Sequence, residues 1–185
     1  MDNFRMQKSH GALVLVIVLA CSFLAGCATS SKVQGPFPPG FEITKYNHLV
    51  PSVSFQDRDL TENAVVDRIR VDIIREMKKI PNEPFTDFSS TNTTPETLSV
   101  DVFITRYERG NAALRAALAG LGQMHIDALV TVRAGNSDEP VARYDVKKTF
   151  AWGGIAGAST GIEDLELDFA KDVVKPLAKL LPKKK

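Results

Sequence analysis

MHIDALVTVRAGNSDEPVARYDVKKTF, residues 124–150, decides the fold. Met124, Ile126, Ala128, Val130 and Val132 recur at every second position. That is the period of a strand with one apolar face. Gly135-Asn136-Ser137-Asp138 reads as a turn. Ala142, Tyr144, Val146 and Phe150 carry the pattern on beyond it. Two such runs joined by a turn predict an antiparallel hairpin. Its apolar face has to be covered, and the rest of the chain is read for what covers it.

Upstream, Leu98, Val100, Val102 and Ile104 alternate in the same way and add a third strand. Phe41–Tyr46 and Leu49–Phe55 are mostly extended stretches, broken by Pro51, that hold a first strand. Pro84–Phe88 reads as a further short strand. Asp59 to Ile80 is the clearest helix. Asp59 and Glu62 fit a capping box. Val66, Ile69, Ile73 and Met77, widened by Val65, Ile74 and Ile80, form its apolar stripe, with Arg68 and Arg70 largely outside it. Pro81 stops it. A last helix opens with a second predicted box, Thr160 and Glu163, and carries Ile162, Leu165, Phe169, Val173 and Leu177 as its stripe. Pro176 should kink or end it. The expectation is one α+β domain, a mostly antiparallel sheet of four to five strands covered by two helices.

Both cysteines lie in CSFLAGCATSS, residues 21–31. Arg5 and Lys8 precede an apolar run from Gly11 to Ala25, too short to span a bilayer and of signal-peptide length. Leu24-Ala25-Gly26-Cys27 resembles a bacterial lipobox. The resemblance implies cleavage between Gly26 and Cys27 and lipid on Cys27; an uncleaved anchor helix is the alternative. Cys21, preceded by the bulky Leu19, fits less well. The implied organisation is a signal peptide over 1–26, a lipidated cysteine and tether over 27–40, a domain over 41–182 and a basic tail over 183–185. Ala28 after the cysteine implies, by resemblance to enteric lipoproteins, the outer membrane facing the periplasm, with inner-membrane retention open.

Two stretches hold more small residues than a connector needs: residues 109–122 and 152–161. Ala112, Ala116 and Gly120 lie four apart, as do Gly153, Gly157 and Gly161. On a helix that spacing makes a flat face for close approach. Such a face packs on its own sheet or meets a partner or membrane surface. Arg115 is expected to pair with a carboxylate of the last helix, or with an anionic group on a partner. Arg109-Gly110-Asn111, then Ala113 and Arg115, then Gly120-Leu121-Gly122, resembles an uncharacterised family of small bacterial lipoproteins across about residues 97–178. The order of elements is similar to the N-terminal domain of the Tol system's periplasmic protein. Neither resemblance implies an activity.

Other chemistries are set aside on spacing. Gly157 to Gly161 matches G-x-S-x-G, but no histidine follows Ser159, so the site reads as helix capping. The glycines lack the lysine of a phosphate loop and the third glycine of a dinucleotide fingerprint. His125 and Asp127 share a strand face but are too few for a closed metal site. Beyond the signal, the charges balance at 21 basic and 21 acidic residues, which argues against nucleic acid. The reading is a lipid-anchored envelope protein without cofactor or metal, a non-enzymatic binding or assembly module. Its partners are the membrane, through Cys27, and an envelope protein or itself. The alternative is a homo-oligomer seamed by the Gly/Ala-rich segments. The candidate interaction residues are Arg109, Asn111, Arg115, Gly120, Gly153, Gly157 and Gly161.

Overall fold

The computed structural model describes residues 37–56, 63–88, 94–118, 121–151 and 159–182. Gly26, Cys27, Gly120, Gly153, Gly157, the Asp59/Glu62 box and the lysine tail lie outside the described residues. The elements are β1 (His48–Phe55), α1 (Asn63–Lys78), β2 (Thr97–Glu108), α2 (Ala112–Ala117), β3 (Met124–Ala134), β4 (Pro140–Phe150) and α3 (Ile162–Ala178). The strands lie in sequence order. β1 runs parallel to β2, and β2, β3 and β4 are antiparallel. The parallel pair follows from α1, whose crossover returns the chain to the end where β1 began. The fold is α+β, with a four-stranded mixed sheet.

The alternating residues share one face. Leu98, Val100, Val102 and Ile104 are buried with Met124, Ile126, Val130, Val132, Tyr144 and Val146. α1 and α3 pack on each other and cover that face. α1 buries Val65, Ile69, Ile73 and Met77; α3 buries its whole expected stripe. On the far face lie Ser52, Phe103, Arg143 and Lys147, all exposed. A single helical layer on one side of the sheet is what half-apolar strands require.

Several local expectations are corrected. Residues 84–88 make one bridge, Asp87 to His48, and no strand. Pro51 sits inside β1 without breaking it, because β1 is an edge strand and the missing N–H is needed by no neighbour. The Leu49 N–H at the same edge is taken by the Asp87 carbonyl at 2.9 Å. The cap of α3 is Gly161, and the Asp164 carboxylate accepts its N–H at 3.1 Å. The helix thus starts one residue later than Thr160 and Glu163 implied. Pro176 lies in the last turn and α3 runs two residues past it. The buried Tyr144 hydroxyl donates to the Val173 carbonyl at 2.7 Å, so the one polar group of a fully buried ring is satisfied on α3, just before its final turn.

β2 changes parity along its length. Its pairing with β3 shifts between Ile104 and Arg106, so Thr105 is the extra residue of a bulge. Without it Tyr107 would face solvent; with it, Ile104 and Tyr107 both point inward.

Asp72 on α1 is also buried, 2.7 Å from Arg75. Burial holds its carboxyl above the usual range, against the opposing pull of Arg75. With the folded value above the unfolded one, the native state binds more protons in between, and stability falls as pH rises through that window. Asp72→Asn is therefore expected to raise the melting temperature at pH 7. The gain should vanish near pH 3, which thermal melts at the two pH values check.

Candidate functional site

At the end of the sheet where β2 stops, residues 109–118 and 121–123 bring the two ends of a loop together. Its neck is two glycines in the left-handed region, Gly110 at φ 63° and Gly122 at φ 67°. A Cβ on Gly110 would lie 2.4 Å from the Gly122 and Gln123 carbonyl oxygens. A Cβ on Gly122 would lie 2.3 Å from the Asn111 oxygen. Asn111 donates its N–H to the Gly122 carbonyl at 3.1 Å, and its side-chain oxygen caps α2 by accepting the Leu114 N–H at 3.0 Å.

Arg115 closes the loop from within. It is 3% exposed. Its guanidinium donates to the carbonyls of Gly122 at 2.9 Å, Arg109 at 3.5 Å and Thr160 at 3.1 Å. Arg109, Gly110, Asn111, Arg115 and Gly122 are therefore one device, which folds the loop and ties it to the start of α3. Arg109 contributes its carbonyl, while its side chain is exposed.

Only part of the expected flat faces falls within the described residues, Ala112 and Ala116 on α2 and Gly161 at the start of α3. α2 is six residues long and Leu118 is already extended. Ala112 and Ala116 face solvent while Arg115 turns inward. Gly161 is the extended cap of α3. What the loop presents instead is three leucines: Leu114, Leu118 and Leu121, exposed at 44%, 54% and 50%. Their spacing of four and then three was visible in the sequence but hidden among the alanines.

Beneath the loop lies a polar cluster that sequence reasoning missed. Glu166 on α3 is fully buried. Arg68 on α1 donates to both its oxygens at 2.9 Å, and the Tyr107 hydroxyl donates to Oε1 at 2.5 Å. Burial, reinforced by the bond to Glu166, pushes the Tyr107 phenol well up. The same carboxylate, through its hydrogen bond, holds the Arg68 guanidinium firmly protonated. The three groups join α1, β2 and α3, and the bulge at Thr105 is what aims Tyr107 into them. The Glu166 carboxylate of the last helix thus goes to Arg68.

On the open face, His125 Nδ1 lies 3.0 Å from Thr149 Oγ1. Among the described residues no group of three metal-ligating side chains gathers. The other end of the sheet receives the chain from the N-terminus. Phe37 stacks on Phe41 at 5.2 Å and Phe41 on Tyr46 at 5.7 Å, just before β1. Nearby, Ser99, Asp101, Arg133 and the 135–138 turn line a shallow polar hollow. There Arg133 and the Ser52 hydroxyl are both bonded to Asp101. Among the described residues no helix is long and apolar enough to cross a membrane.

Residues 48–154 match DUF4410, a domain of unknown function, and the chain belongs to that family. No curated protein matches it. Among solved structures, a PelC dodecamer from Paraburkholderia phytofirmans is 10% identical and superposes with a TM-score of 0.51, covering 80% of this chain and 97% of that one. Protein XCC0632 from Xanthomonas campestris, of family DUF330, is 11% identical with a TM-score of 0.51, covering 82% and 94%. At such identities the likeness is one of fold.

Proposed function

We propose that this chain is a lipid-anchored protein of the cell envelope, held through Cys27 at the outer membrane and facing the periplasm. Its domain acts as a non-enzymatic assembly module. The observation that carries the reading is the placement of the leucines. The chain enters beside His48, while Leu114, Leu118 and Leu121 stand beyond Glu108, at the opposite end of a strand about 36 Å long. Cys27 and Phe37 are ten residues apart, a reach of at most about 36 Å. The apolar end is thus the one farther from the anchored end, which supports a contact with protein rather than with the anchoring lipid. Exposed apolar groups gathered on a rigid support mark such contacts.

A second reading has the same end meeting another copy of the chain, with the Gly/Ala-rich segments as the seam. The exposure of all three leucines favours it equally. Two measurements test the function. Cys27→Ser should leave an unprocessed precursor that takes up no labelled palmitate; normal processing would remove the anchor from the proposal. A photo-crosslinker at position 118, used in cells, should capture one envelope protein, or the chain itself under the second reading. Capture of lipid alone would overturn the assembly role.

A further inference from the structure

We propose that the domain pairs with a second copy through the free edge of β4, on a two-fold axis at Tyr144. The contact lies away from the leucine end and does not depend on the lipid anchor. Among the described residues β1 and β4 are the two edges of the sheet. The first half of the β1 edge is blocked to a partner: Asp87 occupies the Leu49 N–H, and Pro51 offers none. β4 is eleven residues long and pairs on its β3 side.

The charges of β4 point to what completes it. On the open face, Arg143 lies opposite Thr131 and Asp145 opposite Leu129, both uncharged. Neither Arg143 nor Asp145 makes an ion pair or a side-chain hydrogen bond among the described residues. Neighbouring charges on this face have a partner within the sheet: Asp101 pairs with Arg133 and Arg106 with Glu108, and Lys147 at least stands in register with an opposite charge, Asp127. Arg143 and Asp145 stand on the strand whose other side pairs with no strand among the described residues.

An antiparallel copy centred on Tyr144 places Arg143 opposite the second copy's Asp145, and Asp145 opposite its Arg143. On the helix face the same register sets Ala142 against Val146, and Tyr144 against its own counterpart. A centre one residue on, at Asp145, sets like charges together, which is unfavourable. A centre at Val146 sets Lys148, the partner of Asp172, against the buried Tyr144. The faces of the sheet are conserved by this axis, so both α3 helices lie on one side of an eight-stranded sheet.

The test is sedimentation equilibrium of the full lipidated chain in density-matched detergent, with thermal melts to show that each variant folds. The wild type should dimerise. R143D and D145R each lose both ion pairs and gain two repulsions, and should weaken the dimer about ten- to a hundredfold. The double variant R143D/D145R exchanges the charges and should restore it. R143Q supplies a milder loss should R143D melt early. A monomeric wild type, a dimer indifferent to the single reversals, or no recovery in the double variant would each overturn the proposal. Loss of association in Leu118→Glu alone would place the seam at the leucine end instead.

Discussion

Gly110→Ala is expected to destabilise the domain by about 3 kcal/mol or more. The left-handed backbone itself costs an alanine about 1–2 kcal/mol. The larger part is contact. The new Cβ would sit 2.4 Å from two carbonyl oxygens, both backbone, so no side chain can move aside. The neck must open, and the Asn111 and Arg115 bonds to the Gly122 carbonyl lengthen with it. Gly40 is the control. It also has positive φ, 79°, but nothing lies within 4 Å of its Cβ position. Gly40→Ala should cost only the backbone share. Urea unfolding of the two variants separates conformational cost from contact cost. Equal midpoints would mean that the neck yields freely.

Arg68→Met is expected to cost about 3 kcal/mol, because it leaves a fully buried carboxylate without its cation. Arg68 is itself 38% exposed, so the penalty lies with Glu166. Tyr107→Phe leaves the ion pair in place and should cost about 1–2 kcal/mol. Replacing all three groups together, with Met, Leu and Phe, should recover most of the loss, since no buried polar atom then lacks a partner. Chemical denaturation of the three variants gives that order. A cost below about 1 kcal/mol for Arg68→Met would show that Glu166 does not need its cation.

The parts of the fold with a period were legible before the structure. The residue 124–150 hairpin, the strand at Leu98–Ile104 and both long helices announce themselves through spacing that burial then uses. The parallel pairing of β1 with β2 was not read from the sequence, because residues 84–88 were expected to supply a strand between them. What escaped detection has no periodic mark. Thr105 looks like any residue of an alternating strand, yet its bulge turns Tyr107 inward. Arg68 lies off the apolar stripe, where a solvent-facing charge is the ordinary reading, and its partner is 98 residues away. The loop motif was legible as a set of residues but not as a device. Gly122 was read as half of a glycine pair, and its role needs the approach of Gly110 in space. The small-residue spacing drew the eye to the alanines and passed over the leucines between them.

The half-blocked edge at β1 also limits how far copies of this sheet can grow. A sheet open on both sides can add strands without end, and such growth leads to fibrils. Here Asp87 takes the Leu49 N–H and Pro51 has none, so the first half of β1 offers little to a copy that has already used β4. That favours edge pairing that stops at two chains. A larger assembly then extends from another surface, and the leucines stand at right angles to the direction in which the strands add.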